Sequence, residues 1–173
     1  MTQFSSRFAE RWFRSCSSLV PVLALLTGCQ SWPIHHSFTK TQIAALESVG
    51  FERIADTGAM EFDVTDRVLF TAGNATLGPD ARRAIERIGH VLIEMRVDHI
   101  GVDGYTDSEG GVGYNQQLSM RRARAVAEML LDMGIPAQDI RVHGYGKTRP
   151  VADNSTMDGR RQNRRVAVVV SSD

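Results

Sequence analysis

Four polar residues near the middle of the chain have types and spacing suited to holding a charged ligand. Asp107 follows the strand-like segment ending in Gly104-Tyr105-Thr106, and Asn115, Ser119 and Arg122 come after it at intervals of four and three. Side chains at these intervals lie on one face of a helix. A carboxylate at a strand end and a guanidinium on the next helix offer one negative and one positive group. The pattern predicts a site for a zwitterion, such as the end group of an amino acid.

The same two charged side chains also suit a structural salt bridge. Exposed ion pairs are common in folded proteins and contribute only about 0–1 kcal/mol. Spacing alone therefore leaves two interpretations of Asp107 and Arg122 open, a ligand site and a structural ion pair. The intervening loop contains Gly110, Gly111 and Gly113, and loops of this kind commonly carry binding residues.

Alternating strand and helix patterns place these residues within an α/β fold. Apolar residues at helical spacing predict two long helices, one beginning at Pro79 and one near Tyr114. The second ends at Met133-Gly134-Ile135-Pro136, because glycine favours the left-handed conformation that follows a helix and proline cannot continue it. Strands are predicted at 67–70, 99–103, 140–144 and 165–170. We therefore expect an α/β (α+β) sandwich, with a mixed four-stranded sheet that carries two main helices on one face.

The first thirty residues predict export and lipidation. Three arginines precede the apolar run 19–26, which is shorter than the about 20 residues that span a bilayer, so a signal peptide is favoured over a transmembrane helix. The run ends in Leu26-Thr27-Gly28-Cys29, which resembles the lipobox of bacterial lipoproteins, with Cys29 as the lipidated residue. The alternative role of Cys29 is a disulfide, but the other cysteine, Cys16, lies in the segment that is removed. In lipoproteins of this kind, a residue other than aspartate after the cysteine, here Gln30, favours the outer membrane.

Four segments follow from these patterns. Residues 1–28 are predicted to be the signal peptide and 29–38 a lipidated tether. Residues 39–62 are predicted to form an N-terminal helical segment, which the family resemblance given below implies is partner-binding, and 63–173 the main binding domain. The helix of 39–49 is amphipathic, with Thr39 and Gln42 placed to cap its start. Its apolar stripe either packs on the domain or contacts a partner.

Composition excludes several classes of function. Residues 29–173 contain 17 basic and 19 acidic residues, and a net charge of −2 gives no reason to expect nucleic acid as a partner. His35 and His36 have no further ligand at metal-binding spacing, so neither a metal nor another cofactor is predicted. The histidines form no recognisable catalytic arrangement, and an arginine beside Asp107 would keep that residue from acting as a general acid. We predict a binding protein and not an enzyme.

Three blocks of sequence resemble the C-terminal domain of the OmpA family, which includes the peptidoglycan-associated lipoprotein Pal. The first block is Val68-Leu69-Phe70 with Leu77 and the helix after it. The second is Gly104-Tyr105-Thr106-Asp107 with Gly110, Tyr114-Asn115 and Leu118-Ser119-Met120-Arg121-Arg122-Ala123. The third is Gly144-Tyr145-Gly146 with Pro150, Asn154, Gly159-Arg160 and Asn163-Arg164-Arg165-Val166.

The resemblance implies non-covalent binding of peptidoglycan through the meso-diaminopimelate residue of its stem peptide, whose free end is a zwitterion. Asp107 would bind the ammonium group and Arg122 the carboxylate. The other residues implied to line this pocket are Thr106, Asn115, Arg164 and Asn74. The family usually has histidine at the position of Tyr105, and aspartate or asparagine at the position of Gly73, next to Asn74.

A stretch farther upstream resembles the YfiB group of lipoproteins within this family. The similar residues are Gln42-Ile43-Ala44, Leu46, Gly50-Phe51-Glu52 and Glu61-Phe62. Members of that group capture a periplasmic repressor and so release a membrane diguanylate cyclase. The resemblance implies such a repressor as a partner, contacted through Ile43, Leu46, Phe51 and Met60, although the group has tryptophan at the last position. The alternative is a static envelope anchor without a signalling role, and a homodimer is compatible with either.

Overall fold

The computed structural model describes residues 37–55, 57–65 and 76–172. Their helices and strands are α1 (Lys40–Ser48), β1 (Glu52–Arg53), β2 (Met60–Thr65), α2 (Pro79–Met95), β3 (His99–Gly104), α3 (Val112–Asp132), β4 (Ile140–Gly144), α4 (Met157–Asn163) and β5 (Arg165–Ser171). A 3-10 turn at Ala137–Asp139 precedes β4. None of the helices in these ranges is both long and apolar enough to span a bilayer.

The strands form one mixed sheet in the order β1-β2-β5-β3-β4. β3 and β4 are parallel, and the other neighbours are antiparallel. Parallel neighbours need a crossover connection, and α3 is that connection here. The predicted fold class is confirmed, but the sheet has five strands where four were expected. Strands β1 and β2 were not predicted, and the strand predicted at 67–70 lies outside the described residues.

The hydrophobic core lies on one face of the sheet. The register places Met60, Val170 and Ile100 side by side across β2, β5 and β3, and alternate residues along each strand point to the same face. The helix residues buried against this face are Leu46 of α1, Ala81, Ile85, Ile88 and Leu92 of α2, and Ala123, Val126, Ala127 and Leu130 of α3. The two predicted main helices therefore cover the sheet together with the short helix α1.

The ends of two helices follow the predicted signals. Thr39 and Gln42 form the reciprocal capping box at the start of α1. After α3, Gly134 adopts φ +102°, and the Ile135 N–H donates to the Leu130 carbonyl at 3.2 Å. Both are the expected consequences of a glycine placed directly after a helix.

The segment 39–62 is packed into the same core as the rest of the domain. Strand β2 spans the boundary at 62/63 that the sequence suggested, and it pairs with β5 along its whole length. Leu46, Phe51 and Met60 all belong to the single hydrophobic cluster. Helix α1 and strand β2 are therefore structural parts of this domain.

Candidate ligand-binding site

The candidate site lies where the parallel strands β3 and β4 end. The backbone continues the pairing past the strands: the Tyr145 N–H donates to the Gly104 carbonyl at 2.8 Å, and the Thr106 N–H donates to the Gly146 carbonyl at 2.8 Å. The Tyr105 N–H donates to the Arg165 carbonyl at 2.9 Å. Because the carboxyl ends of parallel strands meet at one edge, the loops after β3 and β4 are held next to each other.

Two glycines bring α3 against these strand ends. A Cβ atom at Gly104 would overlap the Ser119 carbonyl, and one at Gly144 would come within 2.6 Å of the Met120 nitrogen. The fully buried Ser119 accepts a 2.9 Å hydrogen bond from the Gly146 N–H and donates to the Gln116 carbonyl at 3.0 Å. Ser119 was predicted to share a polar helix face with the ligand residues, and in the structure it joins the helix to the loop after β4.

Asp107 is held at both of its carboxylate oxygens. Nη1 of Arg164 lies 2.7 Å from Oδ2, and the Glu109 N–H donates to Oδ1 at 3.0 Å. The Asp107 side chain is only 8% exposed and that of Arg164 is 26% exposed. A structural ion pair of Asp107 was one of the two interpretations of the sequence, and this pair uses Arg164, which had been expected only to line the pocket.

The other described residues of the predicted pocket, in the loop after β3 and on α3, are all buried. Thr106 is buried and its Oγ1 donates to the Asp107 carbonyl at 3.1 Å. Asn115 is buried and its Nδ2 donates to the Glu109 carbonyl at 2.7 Å. Arg122 is 3% exposed, on the same buried side of α3 as Asn115 and Ser119. A buried guanidinium must be compensated by neighbouring acceptors, so Arg122 belongs to a buried polar group of residues.

A stack of aromatic and cationic side chains supports the end of β3 beneath the site. The Arg165 guanidinium lies 3.9 Å from the centre of the Tyr105 ring, and the Tyr105 and Tyr145 rings stack at 5.3 Å. Arg149 covers the Tyr145 ring, also at 3.9 Å. Burial, helped by the charge of Asp103, raises the pKa of Tyr105 to about 12, so the ring stays neutral. Nε of Arg165 also lies 3.3 Å from Oδ1 of Asp63, so this arginine forms an ion pair with β2.

Two asparagines, Asn154 and Asn163, fix the loop that contacts the residue after Asp107, and neither was among the predicted site residues. Asn163, fully buried, accepts hydrogen bonds from the Val151 and Ala152 N–H groups at 2.8 and 3.0 Å. Its Nδ2 donates to Oδ1 of Asn154 at 2.9 Å, and the same Oδ1 accepts from the Ser108 N–H at 3.1 Å. The only sequence signal was their place in the third block of the family resemblance.

The residues predicted to contact a protein partner are mostly internal. Leu46, Phe51 and Met60 are 0%, 2% and 1% exposed, and Ile43 is partly buried against the same cluster. The apolar stripe of α1 therefore packs on the domain, one of the two roles considered for it. These side chains cannot form a surface in this conformation. The exposed positions of α1 include Thr41, Ala44 and Glu47.

Two other predicted site residues, Cys29 and Asn74, lie outside the described residues. Gly73, one of the two departures from the family pattern, lies outside them as well.

Comparison with known proteins agrees with this arrangement. The model of the OmpA family matches residues 69–164, which include β3, α3, β4 and α4 and every described residue of the predicted pocket. This chain belongs to the OmpA family. The outer-membrane lipoprotein YfiB of Pseudomonas aeruginosa is 42% identical over 148 residues, covering 86% of this chain and 87% of the relative. The resemblance to the YfiB group is thereby confirmed.

Solved structures extend the comparison to the fold. The cell wall anchor of the T6SS from Pseudomonas aeruginosa superposes with a TM-score of 0.64 at 25% identity, covering 80% of this chain and 99% of that one. The peptidoglycan-associated lipoprotein from Burkholderia pseudomallei gives a TM-score of 0.56 at 27% identity, covering 60% and 88%. These relatives are lipoproteins and anchors, and the prediction of a non-enzymatic protein is confirmed.

Proposed function

We propose that this chain is a lipoprotein, anchored to the outer membrane through Cys29, that binds peptidoglycan non-covalently through the diaminopimelate residue of the stem peptide. The observation that carries the proposal is the buried Asp107 carboxylate, held in place at both oxygens. Each carboxylate oxygen accepts more than one hydrogen bond, so a ligand ammonium group can still bind there.

The other charged groups of the site suit the second half of a zwitterion. Arg122 would bind the ligand carboxylate. Arg164, which pairs with Asp107, would partly balance the negative charge of the Asp107 carboxylate. Thr106 and Asn115 are both buried. They would complete the wall of the pocket, with Asn74 at its edge. A lysine-containing stem peptide lacks the second amino-acid centre of diaminopimelate, so it would leave Arg122 without a carboxylate to bind.

Co-sedimentation with purified sacculi tests this function. The chain starting after Cys29 is mixed with diaminopimelate-containing sacculi, and wild type is compared with Asp107→Asn. The matched control is Asp80→Asn, at an exposed carboxylate on α2 that pairs with Arg83. We expect wild type and the control to pellet and Asp107→Asn to stay in solution. A folded wild type that stays in solution would refute wall binding.

A second function follows from the similarity to the P. aeruginosa YfiB lipoprotein, whose alignment covers most of both chains. We propose that this chain also captures a periplasmic repressor of a diguanylate cyclase. Since Leu46, Phe51 and Met60 are internal, the exposed face of α1 is the surface assigned to this contact. Ala44→Glu changes that face alone, and we expect it to reduce capture without affecting sedimentation with sacculi. If the chain is only a static anchor, Ala44→Glu and wild type should give the same result in the capture assay and in the sedimentation assay.

A further inference from the structure

Arg160 on α4 connects the two loops that border the candidate site. Its Nε lies 3.0 Å from Oε1 of Glu109, in the loop after β3. Its Nη1 donates to the carbonyl oxygens of Asn154 at 3.0 Å and Ser155 at 3.3 Å, in the segment before α4. The Arg160 side chain is 24% exposed. One largely buried guanidinium therefore ties the loop that carries Asp107 to the C-terminal part of the domain.

Both ends of this connection lead directly to the neighbours of Asp107. The backbone N–H of Glu109 donates to Oδ1 of Asp107 at 3.0 Å, and its carbonyl accepts from Nδ2 of Asn115 at 2.7 Å. On the other side, Oδ1 of Asn154 accepts from the Ser108 N–H at 3.1 Å. Arg160 thus restrains the residues at positions +1 and +2 from Asp107 by two separate routes.

We infer that Arg160 is a positioning residue for the ligand site, a role that rests on the proposed function. It holds Glu109 and Asn154 so that the Asp107 carboxylate is oriented before the ligand arrives. A loop that becomes ordered only when the ligand binds loses conformational entropy at that step, and this loss weakens the affinity. A loop that is already ordered avoids the loss. The exposed Glu109 side chain, at 70%, contributes little to the fold by itself, so its ion pair serves mainly to direct the loop.

Arg161 provides a matched control on the same helix. It carries the same charge, but it pairs with Asp158 at 3.0 Å within α4. The test uses the full-length chain in detergent and measures the affinity for the soluble tripeptide L-Ala-γ-D-Glu-meso-diaminopimelate. Three variants are compared with wild type: Arg160→Met, Glu109→Ala and Arg161→Met. Hydrogen exchange of the Glu109 amide is followed in each variant, because a purely structural role of Arg160 elsewhere in the fold would not alter it.

We expect Arg160→Met to weaken tripeptide binding about tenfold, the loss equivalent to one charge-assisted hydrogen bond. Glu109→Ala should weaken it about threefold, and both variants should accelerate exchange of the backbone amide at position 109. Arg161→Met should match wild type. Should Arg160→Met fail to fold, Glu109→Ala decides alone, since it removes only an exposed side chain.

If Glu109→Ala and a folded Arg160→Met both bind the tripeptide as tightly as wild type does, Arg160 is not a positioning residue. The proposed function is unaffected by that result. Absence of tripeptide binding by wild type would instead overturn the proposed function. The two failures are therefore distinguishable in one series of measurements.

Discussion

Arg164 and Asp107, 57 residues apart in the chain, are joined by a 2.7 Å hydrogen bond between Nη1 and Oδ2. The contact links the end of β3 to the residue that immediately precedes β5, two elements that are neighbours in the sheet. It leaves the carboxylate largely buried but pointing in a fixed direction. The ion pair and the proposed ligand site are therefore the same structure, and the two interpretations of the sequence need not exclude each other.

Removing Arg164 should reduce both stability and ligand binding. Arg164→Met removes the guanidinium from Oδ2 of Asp107 and keeps the hydrogen bond from the Glu109 N–H to Oδ1. We expect the free energy of unfolding to fall by about 1–2 kcal/mol, the cost of losing a hydrogen bond to a charged group. Urea unfolding measures this change, with exposed Arg124→Met on α3 as the control. Equal stability of the two variants would contradict a structural role for the pair.

Ligand binding by the same variant gives an independent check. With Arg164 gone, Asp107 loses one of the two contacts that orient its carboxylate, and sacculus binding should weaken about tenfold. Arg124→Met should bind as wild type does. Tighter binding by Arg164→Met would mean that Arg164 competes with the ligand for Asp107, which is the opposite of the supporting role argued above.

Leu46 should behave as a core residue. Its side chain is fully buried, and truncation of a buried leucine costs about 2–5 kcal/mol. We expect Leu46→Ala to lower the free energy of unfolding by that amount, while Ala44→Glu, on the exposed side of α1, changes it by less than about 0.5 kcal/mol. Chemical denaturation distinguishes the two, and a stable Leu46→Ala would mean that α1 does not pack on the domain as described.

Two glycines of β3 provide a test of the close approach of α3. A Cβ at Gly104 would overlap the Ser119 carbonyl, whereas one at Gly101 would meet Val169 at an ordinary 3.7 Å. We expect Gly104→Ala to destabilise the domain by about 3 kcal/mol or more and Gly101→Ala by less than about 1 kcal/mol. Thermal unfolding of both variants is sufficient. Similar melting temperatures would show that α3 can move away from the strand at little cost.

The elements with strong local signals were predictable from sequence. The capping residues of α1, the start of α2 at Pro79 and the stop at Gly134 all depend on neighbours in the chain, and each occurs where the pattern places it. Strand β2 was missed although Met60, Phe62 and Val64 alternate with Glu61 and Asp63, because the segment had been assigned to partner binding. Its pairing with β5 joins residues about a hundred positions apart, which local patterns do not encode.

Several residues of the candidate site could be predicted from the sequence, but the contacts between its residues could not. Asp107, Asn115 and Arg122 could be selected by charge, spacing and family resemblance. The ion pair of Asp107 with Arg164 depends on β5 lying beside β3, and the roles of Asn154 and Asn163 depend on how the loop before α4 turns back. These contacts follow from the tertiary fold, so no spacing in the sequence indicates them.

The Asp103 carboxyl on β3 should make the stability of the domain depend on pH. Burial raises the pKa of the Asp103 carboxyl above its ordinary value, and the nearby His143 offsets this only in part. The native state therefore binds the Asp103 proton more tightly than the unfolded chain does. Its contribution to stability is complete below the ordinary value of 3.8 and is lost as the pH rises through the higher pKa of the folded state.

Asp103→Asn removes this dependence because asparagine cannot lose the proton. We expect the stability of the variant relative to wild type to increase as the pH rises from about 3.5 to 7. Urea unfolding of both proteins at a series of pH values gives the difference directly. A difference that is the same at every pH would contradict the effect of burial on Asp103.

In the proposed function, Asp107 and Arg122 together recognise the zwitterionic end of diaminopimelate. Isothermal titration calorimetry with the tripeptide that ends in meso-diaminopimelate, and with the matching tripeptide that ends in lysine, measures this most directly. We predict that wild type binds the first at least about a hundredfold more tightly, since the lysine peptide lacks the carboxylate that Arg122 is proposed to bind. Equal affinity for the two peptides, or unchanged affinity in Asp107→Asn, would contradict the account.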